Sequence, residues 1–196
     1  MILPTARPAV AGPMRIMTAA DLALLPTDLP SGPSSYELDN GILVMMVPPG
    51  NVHGAVQLNF GSQLKVQGEA CGHGKARTEV GIVLWRGPDR VVGADVAFIA
   101  ARLLPIRESA EGYLETILSL VVEVQSRNDT AAYLQRKVAD YLAAGVECVW
   151  VADPAQTVVT EHRNGMSPKV YRSGDILTLE GMIPGFQFPV AAAFEV

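Results

Sequence analysis

Leu118-Ser119-Leu120-Val121-Val122-Glu123-Val124-Gln125-Ser126 decides how this chain folds when set against Glu147-Cys148-Val149-Trp150-Val151-Ala152. Each is a near-continuous apolar run of strand length, the pattern of a strand covered on both faces. Between them Asn128, Asp129 or Thr130 can cap a helix running to about Ala144, which Gly145 ends. Leu134, Val138 and Leu142 recur at helical spacing along it. Residues 118–152 therefore read as strand–helix–strand, a unit that favours a parallel pair joined by a right-handed crossover.

Upstream, Arg77 to Trp85 and Arg90 to Ile99 read as two strands joined at Gly87-Pro88-Asp89. Residues 102–113 form a polar connection. A helix from Asn51 to about Gly68 carries Val56, Phe60, Leu64 and Gln67 along its apolar face. Tyr36 to Val47 reads as a hairpin turning at Asp39-Asn40-Gly41. The first 35 residues form a Pro/Ala-rich arm around one short helix, capped by Thr18 and stopped by Pro26, with Pro30-Ser31-Gly32-Pro33 as a loop. Downstream of Asp153-Pro154, short strands turn at Asn164-Gly165 and Ser173-Gly174-Asp175. The expected architecture is α/β: a mixed, twisted sheet flanked by helices, with an antiparallel C-terminal extension. Residues 1–17 are expected to be an arm and 18–196 a single domain.

Composition narrows the function. Hydrophobic residues make up 49% of the 196 residues and charged residues 18%, below the usual ~25%. That excludes intrinsic disorder. Few charges and the apolar tail Val190-Ala191-Ala192-Ala193-Phe194 point to a homodimer. Two cysteines are too few for a disulfide framework. The start has no apolar leader core and no run is long enough to span a membrane, so a soluble cytoplasmic protein is the default. A net charge of −5 excludes a chain that holds nucleic acid by bulk positive charge. Locally the balance reverses: residues 127–172 hold six Lys/Arg against five acids, and residues 75–90 four against two. Any nucleic-acid role would need such a locally basic groove or a metal ion.

The chemistry-bearing residues are the acids inside apolar strands. Asp95 stands in Val91-Val92-Gly93-Ala94-Asp95-Val96-Ala97-Phe98-Ile99, and Glu123 in the run quoted above. A carboxylate in a buried strand is costly unless paired or bound to a metal. Two such strands side by side would bring two like charges together and call for a cation. Oxygen ligands suit Mg²⁺ or Mn²⁺. The alternative is that each acid sits at a strand end and meets a lysine, an arginine or a helix N-terminus. Lys137 lies one turn after Tyr133 and one before Tyr141, at the border of the helix's buried face. Its ammonium can reach back towards Glu123, or it can stay outside and pair with Asp140 or Glu147. His53, near a helix start, can hydrogen-bond a phosphate or a site acid, or be structural. Cys71 and His73 lack two further zinc ligands. Ser126 is read as a helix cap, and Trp85 and Trp150 as core.

These residues resemble a known family. Tyr36-Glu37-Leu38-Asp39-Asn40-Gly41 followed by Pro48-Pro49 and His53, then Gly93-Ala94-Asp95-Val96-Ala97-Phe98, then Val122-Glu123-Val124-Gln125-Ser126, Lys137, Tyr141, Gly145-Val146 and Trp150-Val151-Ala152-Asp153-Pro154 are similar to the Uma-type restriction endonucleases of the PD-(D/E)XK nuclease superfamily. The likeness spans roughly 18–190. It implies a restriction-endonuclease-like fold and a metal-dependent hydrolase of nucleic-acid phosphodiesters, DNA foremost. Asp95 and Glu123 would match the metal-binding acids, the carbonyl of Val124 a further ligand, and Glu37 the N-terminal acid that completes the site. Mg²⁺ or Mn²⁺ would be the cofactor. Gln125 stands where the superfamily often has lysine; Lys137 fits the subgroup in which that lysine has moved to the next helix. Ala94 replaces the usual proline, which removes no ligand. A nuclease fold that binds without turnover is the rival, motivated by Gln125. A hydrolase using Glu37 with Glu123 and no metal ranks below it.

Overall fold

The computed structural model describes residues 15–29, 32, 33, 35–127 and 129–196; most of the expected arm, and Asn128 among the candidate caps, lie outside them. Thr18 caps α1 (Ala19–Ala23) in a reciprocal box: its Oγ1 accepts from the Asp21 amide at 3.2 Å and Asp21 accepts from the Thr18 amide at 2.9 Å. At the expected loop a small antiparallel pair forms, β1 (Asp28–Leu29) just before it with β2 (Gly32–Pro33) inside it. The hairpin of β3 (Ser35–Asp39) and β4 (Ile42–Met46) turns through Asn40 (φ 51°) and Gly41 (φ 79°), the left-handed pair a two-residue connection demands.

Helix α2 (Asn51–Gln63) runs into a wider π-type turn over Leu64–Glu69. Its buried stripe is Val56, Phe60, Leu64 and Gly68 rather than Gln67. At Gly68 a Cβ would meet the Phe98 ring at 2.7 Å, so only glycine lets the helix approach the sheet there. The long hairpin β5 (Gly74–Trp85) and β6 (Arg90–Ala100) follows, then β7 (Leu120–Val124), α3 (Ala131–Ala143) and β8 (Cys148–Asp153). Thr130 caps α3, accepting from the Tyr133 amide. Ser126 does not cap; its amide donates to Asp129, which closes the turn before the helix.

β7 and β8 pair in parallel, as the crossover requires, while every other described strand pair is antiparallel. The eight-stranded sheet also takes in β9 (Val158–His162) and β10 (Lys169–Tyr171), in the order β10-β9-β8-β7-β6-β3-β4 with β5 on the far edge of β6. β11 (Ile176–Leu179) and β12 (Ile183–Pro189) form a separate antiparallel pair before α4 (Val190–Ala193). The fold is thus mixed α/β: a mostly antiparallel sheet with α2, α4 and the β11–β12 pair on one face and α3 on the other.

The apolar tail is not free for a second copy. Val190 and Ala193 are fully buried and Phe194 packs on the same core as Phe60 and Trp150. Asn59 on α2 donates to the Ala193 and Glu195 carbonyls. The tail's hydrophobicity is spent on its own domain, which removes one of the two grounds for the expected homodimer and leaves the low charge content as the other. No described helix is long and apolar enough to cross a membrane.

Candidate active site

The site begins at a gap in the sheet. β5 lines one edge of β6 along its length. The other edge is shared: β3 meets it at Val91 through Leu38, and β7 meets it at Val96 to Phe98. Between them, residues 92–95 have no strand partner on that side among the described residues. A buried backbone edge left unpaired is costly, and side chains take the strand's place. Glu37 Oε1 accepts from the Gly93 amide at 3.0 Å, and Lys137 Nζ donates to the Gly93 carbonyl at 2.8 Å. Two residues on, Asp95 Oδ2 accepts from the Val124 amide at 2.7 Å.

Strand alternation aims Glu123. Leu120, Val122 and Val124 pack on the α2 side, so Glu123 and Val121 face α3. There one face of α3 carries Tyr133, Lys137 and Tyr141 a turn apart, and each meets an acid. Tyr133 donates to Glu37 Oε2 at 3.0 Å, and Tyr141 to Glu123 Oε1 at 2.6 Å. Lys137 donates to Glu123 Oε2 at 2.8 Å and lies 3.1 Å from Glu37 Oε1. The ammonium thus makes two hydrogen bonds, to Glu123 and the Gly93 carbonyl, and an ion pair with Glu37. Asp140 and Glu147, the alternative partners, are held by Arg90 and Arg102.

Asp95 turns the other way. Val92 and Ala94 pack on the α3 side, as do Ala97 and Ile99, so the alternation slips by one residue at Asp95–Val96. The carboxylate meets the start of α2, where His53 Nε2 lies 3.2 Å from Oδ2. One turn along, Gln57 donates to the Asp95 carbonyl at 3.2 Å. The β6–β7 register, Val96 against Val122, sets Asp95 opposite Glu123 one step beyond the ladder.

Glu37, Glu123 and Lys137 thus form one buried cluster, with Asp95 at its side. Gln125 stands apart: its amide donates to the Ala152 carbonyl, and its side chain has no hydrogen-bond partner among the described residues. Arg90 was not among the expected residues. It is 2% exposed, donates to Asp140 at 2.8 Å and to the Leu38 carbonyl at 2.9 Å, and lies 3.5 Å from Glu37. The available signal was an arginine opening a strand whose only other charged residue is Asp95. Tyr133 and Tyr141 were visible as the turns flanking Lys137, but nothing local assigned them acids.

The electrostatics follow from burial. Loss of water pushes the Glu123 carboxyl up to about 8, with Lys137 pulling it back and Asp95 adding to the rise. Burial works against the Lys137 ammonium too, but Glu123, Tyr141 and Glu37 outweigh it and hold the ammonium charged. For His53, burial disfavours the charged ring, and the Asp95 carboxylate more than offsets that, leaving it above its ordinary value.

Among the described residues, no three His, Cys, Asp or Glu side chains converge as a closed metal centre. The donor chemistry nonetheless fits a hard divalent cation. Asp95 and Glu123 stand at opposed register positions. Glu123 faces α3 with both oxygens accepting from Tyr141 and Lys137, while Oδ1 of Asp95, turned towards α2, has no hydrogen-bond partner among the described residues and is the open oxygen of the pair.

A solved structure described as a putative nuclease belonging to DUF820, from Anabaena variabilis ATCC 29413, has the same fold. The match has a TM-score of 0.74 and 15% sequence identity, and covers 91% of this chain and 97% of that one. No curated protein matches the chain. Residues 22–191 match the family Uma2, whose description reads "Putative restriction endonuclease", and with so much of its length matched the chain belongs to that family.

Proposed function

We propose that this protein is a divalent-metal-dependent nuclease that hydrolyses phosphodiester bonds, with DNA as the substrate to test first. The observation that carries the reading is the contact of Lys137 with Glu123 across the β7–α3 unit, beside Asp95. A lysine buried against one of two neighbouring acids is costly to build and is at home where charge must be organised around a phosphate.

Asp95, Glu123 and the Val124 carbonyl would hold Mg²⁺ or Mn²⁺. When bound, the cation supplies positive charge for the scissile phosphate and makes a nearby water easier to deprotonate. Lys137 contributes a fixed charge, kept protonated by its acids, that can orient the water or the phosphate once one N–H is freed. Glu37 holds that ammonium from the far side, and Tyr141 fixes the rotamer of Glu123. Gln125 at the strand end can hydrogen-bond a ligand but brings no charge.

The test incubates purified protein with supercoiled and single-stranded DNA and with RNA, in Mg²⁺, Mn²⁺ or EDTA. The expected result is cleavage that needs the cation and falls at least about 100-fold in Lys137→Met and Glu123→Gln. No cleavage in any condition, with wild type matching Glu123→Ala, would sink the reading. A second reading, a nuclease fold that binds without turnover, is favoured by Gln125 and by the burial of the Lys137 ammonium between Glu123, Glu37 and the Gly93 carbonyl. It expects DNA binding indifferent to EDTA.

A further inference from the structure

We propose that His53 is a positioning residue for Asp95: its Nε2–H and the Val124 amide together hold Oδ2, so that Oδ1 is the oxygen presented to a cation. The inference rests on the reading of Asp95 as a cation-holding acid and extends it to a helix that reading does not use.

Four observations carry it. The Val124 amide donates to Oδ2 of Asp95 at 2.7 Å, and His53 Nε2 stands 3.2 Å from the same oxygen as an ion-pair contact. Two N–H groups on one oxygen fix the carboxylate plane and leave the other oxygen as the open one. Second, the imidazole is almost enclosed, yet Nδ1 is buried without a hydrogen-bond partner. A histidine that serves only the core has both nitrogens satisfied. Here Nε2 is given to Asp95 alone. Third, His53 is not needed to dock α2, because Gln57 one turn later already ties the helix to the Asp95 carbonyl.

Fourth, the backbone around Asp95 is irregular on both strands. The β5–β6 register sets Glu79 opposite Asp95, and Glu79 has φ 50°, a left-handed conformation unusual for a glutamate inside a strand. It coincides with the slipped alternation that turns Asp95 towards α2. Conformations of this kind persist where the surrounding structure over-determines them, often at functional sites. The charged groups that act most strongly on the ring are Asp95, Glu79 and Asp129. All are acidic, so the imidazole's natural role is as a donor.

Two measurements test this. The first reads the hydrogen bond without any cation: ring ¹⁵N spectra of the metal-free protein at pH 9. The expected signal for His53 is the Nε2–H tautomer, changed by Asp95→Asn. A ring carrying its proton on Nδ1 overturns the proposal. The second is calorimetric titration with Mn²⁺ alone. His53→Ala is expected to weaken binding 10- to 100-fold, the range seen for partners that orient a metal ligand. His53→Gln, whose amide nitrogen reaches the Nε2 position, is expected to stay within about threefold of wild type. In the Asp95→Asn background, His53→Ala should add nothing. If His53→Ala does not fold, His53→Asn against His53→Gln gives the same contrast, since only the longer amide spans the gap. Unchanged Mn²⁺ affinity in folded His53→Ala, with Asp95→Asn still damaging, overturns this inference and leaves the nuclease reading standing. Wild type that binds no Mn²⁺ overturns both.

Discussion

Glu37 accepts the Gly93 amide at 3.0 Å where the edge of β6 away from β5 has no neighbouring strand, so a carboxylate completes the sheet at the point where the candidate site opens. The same residue also faces Lys137, Tyr133 and Arg90. Structure and site therefore share their parts, and most substitutions here will move both.

Glu37→Ala leaves a buried amide, a buried lysine and a buried arginine short of a partner. The expected loss is about 3–5 kcal/mol of unfolding free energy, the cost of breaking a buried ion pair by removing one side. Glu37→Gln keeps an acceptor for Gly93 and should lose less. Urea denaturation of both variants checks the order.

Glu123 sets a pH dependence. Its carboxyl is raised to about 8 in the fold from an ordinary 4.5, so between those values the folded state holds a proton that the unfolded chain has released. Stability must then fall as pH rises through that window, by on the order of 1 kcal/mol per pH unit. The slope belongs to the Glu123–Lys137 pair as a unit. Chemical denaturation from pH 5 to 8 in EDTA should show wild type losing ground to Glu123→Gln as pH rises. A constant difference would refute it.

Glu79 holds a left-handed backbone at φ 50°. Replacing it with glycine, which adopts that conformation freely, should stabilise the fold by about 1 kcal/mol. Glu79→Ala should not, because alanine keeps the strain. The shift in urea midpoint distinguishes them.

The C-terminal segment seals one face of the core. Removing residues 190–196 uncovers the hydrophobic cluster beneath Val190 and Ala193. The expected outcome is a lower Tm and a tendency to aggregate, read by calorimetry and light scattering. A truncated chain as stable as the full one would show that the tail does not serve this core.

Much of the scaffold was legible because it rests on local rules. The hairpin at Asn40-Gly41, the cap at Thr18, and the two apolar runs flanking α3 each announce themselves within a few residues. The misreadings have local causes too. Gln67 lost its place on the α2 stripe to Gly68, where the chain widens into a π-type turn against Phe98. The apolar tail read as an interface because a sequence cannot say whose core an apolar segment covers.

By itself the sequence determined which residues could carry charge into the core: Asp95, Glu123 and Lys137, each an ionisable group in or beside apolar surroundings, with Glu37 added by the family resemblance. Only the tertiary structure decided whom they meet. Lys137 reaches Glu123 and Glu37 because α3 crosses over the gap between β3 and β7. Asp95 turns to His53 because β6 slips its alternation opposite Glu79. Periodicity encodes which face a residue prefers. It does not encode where two strands leave a third unpaired, and here that unpaired edge is what draws the charged side chains together.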